Sequence, residues 1–138
     1  MNINILVIDA QGGGVGRQLV TEIKSAMPDA KITAVGTNSA ATTTMLKAGA
    51  DNAATGENAV IVGCRSADII TGPIGIVIAD SLLGEVTPAM AVAVAQSRAK
   101  RVLIPFSHCD NIIVGMSAQN VGQLVRLAVD EILRSADE

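Results

Sequence analysis

The feature that most restricts the fold of this chain lies in its first 26 residues, where an apolar run is followed by glycines and then by a helical pattern. Residues 3–10, INILVIDA, are almost continuously apolar, which is typical of a strand that is covered on both faces. Three consecutive glycines follow, and then Val15, Leu19 and Ile23 recur at helical spacing. The segment therefore predicts a strand, a tight turn and a helix, as at the start of a parallel β–α–β unit.

The same alternation continues along the rest of the chain. Further strands are predicted at residues 31–37, 51–54, 68–73, 101–107 and 111–116. Further helices are predicted at residues 38–48, 57–66 and 88–99, and from a Ser117 cap to the end of the sequence. Residues 74–80 either continue the fourth strand or form a strand of their own. The pattern predicts an α/β protein: a single-domain, three-layer Rossmann-like fold with a mostly parallel sheet over residues 1–138.

Composition excludes several function classes. The 138 residues carry a net charge of −3 without a basic run, and the one aromatic side chain is Phe106, so a nucleic-acid interface is not expected. No apolar stretch reaches the roughly 18 residues of a membrane span, and no signal segment precedes the first strand. Cys64 and Cys109 lack metal-ligand spacing. We expect a cytoplasmic protein without a nucleic-acid partner, a membrane partner or a metal.

The glycine-rich turn at residues 11–17 is the strongest functional signal. Glycine lets a ligand approach the backbone closely, and the N-terminus of the following helix offers unpaired amides that suit phosphate. The guanidinium of Arg17 would add a charge-assisted hydrogen bond. The predicted phosphate-binding residues are Gly12, Gly13, Gly14, Val15, Gly16 and Arg17. The alternative is a tight turn that binds nothing.

The spacing in this turn departs from both standard phosphate motifs. The dinucleotide pattern G-x-G-x-x-G matches at Gly12 and Gly14, but its third glycine falls on Arg17. The P-loop variant K-G-G-x-G-K-[ST] of the deviant Walker ATPases also matches in its glycines. Arg17 replaces its essential lysine, however, and Gln18 replaces its magnesium-binding hydroxyl. We therefore predict no ATP hydrolysis, and a degenerate P-loop phosphohydrolase is only a weaker alternative.

Small polar residues also follow the second and fourth strands. Thr37, Asn38 and Ser39 lie where an NAD-binding domain usually has an acidic residue for the ribose hydroxyls. Hydroxyl and amide groups suit a phosphorylated ribose, so NADP or another nucleotide fits better than NAD. The alternative is that these residues merely cap the next helix. Thr71 and Gly72 complete the predicted cofactor-binding residues, because ligands bind at the carboxyl ends of parallel strands.

Reactive side chains occur at two further places. His108 and Cys109 are neighbours in FSHCDN, and because adjacent residues of an extended segment point to opposite sides, they would make a poor catalytic pair. Pairing across the sheet with Asp80, Glu85 or Asp9 is the better arrangement. The alternative is a capped loop in which His108 has no role. The second place is ADSLLGEVTPAM, where Asp80, Ser81 and Glu85 precede a helix start. A second anion site there, or a metal shared by Asp9 and Asp80, is one interpretation, and turn and capping residues are the more usual one. No catalytic residue is assigned, and whether the protein is an enzyme stays open.

The helix predicted from Pro88 to Ala99 indicates an oligomer. Its body, AMAVAVAQ, has no polar side chain before Gln96, and a helix that is apolar all round is normally buried on all sides. Either a second subunit or another element of the same chain covers it. We predict a homodimer with Ala91 and Val94 at the interface.

Over its whole length the sequence resembles a small bacterial family of uncharacterised proteins, known as a domain of unknown function. The resemblance rests on VIDAQGGGVGRQL, GTNSAAT, MLKAGAD, TGPIGIVIADSLLGEVTPAMA and LIPFS. It implies a Rossmann-like bacterial protein and supplies no reaction. The leading hypothesis is a protein that binds a nucleotide or dinucleotide phosphate through residues 11–17. The alternative is a non-catalytic homo-oligomeric module with a degenerate Rossmann site.

Overall fold

The computed structural model describes residues 2–105, 111–116 and 119–137, and within them strands and helices alternate. The strands are β1 (Asn4–Asp9), β2 (Lys31–Gly36), β3 (Asn52–Thr55), β4 (Ile69–Pro73) and β5 (Lys100–Ile104). The helices are α1 (Gly14–Ala26), α2 (Ser39–Lys47), α3 (Glu57–Ser66), α4 (Pro88–Gln96) and α5 (Val121–Ala136). A short 3₁₀ helix, Ile74–Val77, follows β4.

The strands form one parallel sheet in the order β3-β2-β1-β4-β5. Ile5 of β1 lies between Ile32 of β2 and Ile69 of β4, which fixes the register at the centre of the sheet. The chain winds outward from β1 to β3 and then crosses back to β4, so the strand order reverses between β1 and β4. The predicted α/β fold with a parallel sheet is confirmed.

Helices cover both faces of the sheet and give two apolar cores. Ile5 and Val7 of β1 pack on one face with residues of α1, α2 and α5, while Leu6 and Ile8 pack on the other face with residues of α3 and α4. Burial on both faces explains why β1 is almost continuously apolar. No helix in the described ranges is long and apolar enough to cross a membrane.

Residues 74–80 do not extend the sheet, so both predicted strand alternatives for them are wrong. The carbonyl of Gly75 accepts hydrogen bonds from the amide of Ile78 and from the Ser81 hydroxyl at 2.5 Å, which folds the chain back on itself. Apolar composition alone did not reveal this compact turn, since a short apolar run fits several kinds of backbone.

Two predictions near the end of the chain are also wrong. Residues 111–116 are exposed and form no strand, although their β-branched side chains are typical of one. Helix α5 is capped by Asn120 rather than Ser117. Asn120 accepts a hydrogen bond from the amide of Gln123, and the Gln123 side chain accepts one from the amide of Asn120, which is a capping box.

The predicted dimer positions on α4 face inward instead. Ala91 and Val94 are buried against the sheet, as is Met90, and α4 ends at Gln96 rather than Ala99. The prediction that Ala91 and Val94 form an interface is wrong, because elements of the same chain already cover them. Val92 on the outer side is 50% exposed.

Candidate functional site at the glycine turn

A cleft of about 300 Å³ lies at the carboxyl ends of β1 and β4, where the strand order reverses. Its lining comes from the glycine turn, α1, the end of β4, the loop before α4 and the start of α5. The lining residues are Asp9, Ala10, Gln11, Gly12, Gly13, Gly14, Val15, Gln18, Pro73, Leu82 and Val121. Ligands of open α/β sheets bind in this position, and the volume is at the lower end of the usual range.

The glycines of the turn divide into two kinds. A Cβ added to Gly13 would lie 2.9 Å from the Cα of Ala41, and Gly13 has a φ of +74°. A Cβ on Gly16 would collide with the Met45 side chain. The backbone of Ala41 therefore requires a glycine at position 13, and the present packing of Met45 accounts for the glycine at position 16. Cβ atoms on Gly12 and Gly14 would meet nothing within 4 Å, and neither residue has a left-handed backbone. Neither packing nor backbone conformation therefore explains why these two residues are glycines.

Asp9, the last residue of β1, caps the N-terminus of α1 from inside the protein. Its buried carboxylate accepts hydrogen bonds from the amides of Gly16 at 2.7 Å and Ala10 at 2.8 Å. Burial raises the pKa of this carboxyl. Hydrogen bonds from the amides of Gly16, Ala10 and Val15 offset part of the rise, and the negative charge of Glu85 adds to it.

Hydrogen bonds within the protein, to Asp9 and to backbone carbonyls, reduce the number of amides in the turn that are open to a ligand. The Gly13 amide donates to the carbonyl of Ala10, and the Arg17 amide donates to the carbonyl of Gly13. Within the described part of the chain, the amides of Gly12 and Gly14 have no acceptor. Among the amides of the predicted anion site, those of Gly12 and Gly14 are therefore free to donate a hydrogen bond to a ligand. The side chain of Arg17 is exposed and does not line the cleft.

Glu85, from the loop before α4, lies beside this cleft at the carboxyl end of β2. Its Oε1 atom accepts hydrogen bonds from the Gln11 amide at 2.8 Å, the Thr37 hydroxyl at 2.7 Å and the Asn38 side-chain amide at 2.7 Å. The hydrogen bond from Thr37 lowers the pKa of Glu85 most, and those from Gln11 and Asn38 lower it further, against a smaller effect of burial. Glu85 is therefore ionised at neutral pH.

Two of the residues after β2 that were predicted to bind a nucleotide, Thr37 and Asn38, thus already donate hydrogen bonds within the protein. Asn38 also accepts a hydrogen bond from the amide of Ala41 at 2.9 Å, so it caps α2 as the alternative interpretation held. Ser39 is exposed at the start of α2 and does not line the cleft. The sequence suggested Glu85 as a partner of His108 or Cys109, or as a turn residue before α4. It did not indicate the contact with Thr37, because the two residues are 48 positions apart.

Thr71 and Gly72 are buried in β4 and do not line the cleft. A Cβ on Gly72 would collide with the carbonyl oxygen of Ile8, so this glycine is required by the sheet. The hydroxyl of Thr71 is buried without a hydrogen-bond partner within the described ranges. It lies on the same face of β4 as Pro73, one layer below the cleft.

The loop between the 3₁₀ helix and α4 has an unusual backbone. Asp80, Leu82 and Leu83 all have positive φ, at 65°, 56° and 59°. Left-handed backbone is uncommon in leucine and costs free energy, so the surrounding structure must impose it. The predicted partners His108 and Cys109 lie outside the described residues. The described residues contain no group of three or more potential metal ligands among His, Cys, Asp and Glu.

The sheet order and the glycine turn define a Rossmann-like α/β domain with a small cleft at its topological switch point. The chain belongs to the family described as Domain of unknown function (DUF3842), whose profile matches residues 4–137. This agrees with the resemblance found in the sequence.

One solved structure with a related architecture is described as a dodecameric FMN-dependent UbiX-like decarboxylase from Escherichia coli O157:H7. It is 21% identical, covers 96% of this chain and 76% of its own, and superposes with a TM-score of 0.47. No curated protein matches the sequence.

Proposed function

We propose that this protein binds a phosphate-bearing nucleotide in the cleft at the glycine turn, through the amides of Gly12 and Gly14. The observation that carries the proposal is that these two glycines have open space where a Cβ would be, whereas packing explains Gly13 and Gly16. A ligand that approaches the backbone closely is a physical reason for glycine at both positions.

The start of α1 favours an anionic group at Gly14, and this effect acts against the negative charges of Asp9 and Glu85 nearby. Gly14 is the first residue of α1, so its free amide lies at the positive end of the helix dipole. Gln18, one turn further along α1, is a polar residue of the cleft lining, while Leu82 and Val121 are apolar ones. A few polar groups within an apolar lining are typical of nucleotide pockets.

A thermal-shift screen with NAD, NADP, FMN, ATP, GTP and coenzyme A tests the proposal. A ligand at a hundred times its Kd stabilises the folded state by about 2.7 kcal/mol, which a domain of this size reports as a clear rise in Tm. Native mass spectrometry of the purified protein would identify a ligand that is retained from the cell. The proposal predicts stabilisation by at least one of the six, and no stabilisation by any of them would contradict it.

The second candidate is a non-catalytic module with a degenerate site, and the position of Asp9 favours it. The Asp9 carboxylate already bonds the amide of Gly16, the kind of group that binds phosphate in a working site. In that case the turn would be stabilised by the chain's own acid and no nucleotide would raise the Tm. The same screen therefore separates the two candidates.

ATP hydrolysis is the weakest alternative. Arg17 is exposed and does not line the cleft, so it does not occupy the place of the P-loop lysine beside a bound phosphate. Gln18 has no hydroxyl for magnesium. We expect no release of phosphate from ATP and magnesium above the level of a Gly14→Val control.

We also propose that the protein is a homodimer through the outer side of α4. Val92 is 50% exposed, and with Ala89 and Ile61 it lines a groove of about 880 Å³ between α3 and α4. Light scattering should show a dimer that Val92→Glu dissociates. Leu46→Glu is the matched control, since Leu46 is 48% exposed on α2 at the opposite face of the sheet. A monomeric wild-type protein would contradict the proposal.

A further inference from the structure

We propose that Glu85, which lies beside the cleft next to Gln11 of its lining, is the specificity-determining residue of the nucleotide site. It accepts the hydroxyls of an unmodified ribose and excludes nucleotides that carry a 2′-phosphate. The inference rests on the proposed nucleotide binding and goes further, because it names the class of nucleotide. It also reverses the preference for NADP that the sequence alone suggested.

The proposal starts from the position of Glu85. Acidic residues that bind ribose hydroxyls lie at the carboxyl end of the second strand in dinucleotide-binding domains. Here β2 ends at Gly36 and is followed by Thr37, Asn38 and Ser39, none of which is acidic. The Glu85 carboxylate reaches this position from another loop and is fixed there by Thr37 and Asn38.

The two carboxylate oxygens of Glu85 have different surroundings. Oε1 accepts three hydrogen bonds, from Gln11, Thr37 and Asn38. Oε2 accepts no hydrogen bond from the described residues. It is also not buried, because the described side-chain atom that is both buried and without a partner is the Thr71 hydroxyl. One oxygen is therefore anchored, while the lone pairs of the other remain open to a hydroxyl donor.

The loop that carries Glu85 is held in one compact conformation. The amide of Asp80 donates to the carbonyl of Val86, and the amide of Glu85 donates to the carbonyl of Leu82. The buried Ser81 hydroxyl bonds Gly75. The strained backbone of Leu82 and Leu83 is kept within this turn, and such strain often accompanies a functional group that must be held in place. Glu85 is thus positioned before any ligand arrives.

Charge gives the site its selectivity. The three hydrogen-bond partners of Glu85 are neutral, so none of them cancels its negative charge, and Asp9 and Glu85 repel one another. A 2′-phosphate would add a further negative group against Glu85, whereas a 2′-hydroxyl would donate a hydrogen bond to it. A polar site of this kind discriminates between the two more strongly than apolar packing does.

The test is calorimetric titration of wild-type protein, Glu85→Gln and Glu57→Gln with NAD and with NADP, which differ only in the 2′-phosphate. Glutamine keeps an oxygen acceptor and removes the charge. Glu57→Gln is the matched control, because Glu57 also accepts a threonine hydroxyl, from Thr87 at 2.6 Å, in a hydrogen bond that involves no residue of the glycine turn. Thermal unfolding of each variant establishes that it is folded.

We expect wild-type protein and Glu57→Gln to bind NAD at least about ten times more tightly than NADP, and Glu85→Gln to lose most of that preference. Equal affinities in the wild-type protein, or an unchanged ratio in Glu85→Gln, would overturn the role of Glu85. A protein that binds FMN and neither dinucleotide would overturn it too, while nucleotide binding stands. If no ligand of the screen binds, the proposed function fails and this inference fails with it.

Discussion

The carboxylate of Asp9 and the amide of Gly16 are joined by a hydrogen bond of 2.7 Å across the glycine turn. It links the end of β1 to the first turn of α1, so the strand itself supplies the helix cap that Gly13 cannot give. The amides that remain open belong to Gly12 and Gly14, and both residues line the cleft. The cap thus leaves fewer amides for the proposed anion site than the glycine pattern alone suggests.

The buried state of Asp9 predicts a definite pH dependence. Because its pKa is raised in the folded protein, its favourable contribution is complete below the ordinary aspartate pKa and is lost as the pH rises through the folded-state value. Asp9→Asn cannot ionise. The free energy of unfolding of the wild type, minus that of Asp9→Asn, should fall as the pH rises from about 3 to 7 in urea titrations. A difference that grows with pH would contradict the raised pKa.

Glu85 predicts the opposite slope. Its pKa is lowered in the folded protein, so its contribution is present above the ordinary glutamate pKa and is lost as the pH falls through the folded-state value. Glu85→Gln should cost less than about 1 kcal/mol at neutral pH, since the carboxylate is partly exposed and screened by solvent. The cost should shrink towards acid in the same urea titrations. A cost that is independent of pH would mean that the three hydrogen bonds do not depend on the charge.

The elements of this fold were predictable where the pattern is strong and local. β1 and α1 follow from a run that is apolar on both faces and from the spacing of Leu19 and Ile23. The turn after Ile74–Val77 was not predictable, because it depends on the Ser81 hydroxyl bonding Gly75. The spacing of apolar residues along the sequence does not indicate a hydrogen bond between a side chain and a backbone carbonyl six residues away.

The candidate site was predictable only in part, for the same reason. The glycines identified the turn, but only the neighbours Ala41 and Met45 distinguish the glycines that packing requires from those that it does not. Likewise, Thr37 and Asn38 were visible as polar residues after β2. Their partner Glu85 comes from a loop whose path the sequence does not determine.

The orphaned hydroxyl of Thr71 gives a prediction about stability. A buried hydroxyl without a partner costs free energy, and valine has nearly the same shape without that group. Thr71→Val should raise the free energy of unfolding by about 1 kcal/mol. Because Thr71 does not line the cleft, ligand affinity should not change. A loss of stability, or a loss of affinity, would show that the hydroxyl has a partner in solution.

Cys64 should be unreactive in the native protein. It is buried, and burial raises its pKa to about 11, so almost no thiolate is present at neutral pH. In a Cys109→Ser variant, which leaves one thiol, Ellman's reagent should react very slowly until urea unfolds the chain. Rapid labelling of the native variant would mean that the contact between α3 and α4 opens readily.

The most direct test of nucleotide binding at this turn is the affinity of Gly14→Val for the nucleotide that gives the largest thermal shift. A Cβ at Gly14 meets nothing within 4 Å, so the variant should fold, with a free energy of unfolding within about 1 kcal/mol of the wild type. Gly14→Ala adds a smaller group at the same place and should weaken binding less. By calorimetry we expect Gly14→Val to lose at least about a hundredfold in affinity. Unchanged affinity in the folded variant would contradict the account and locate the site elsewhere.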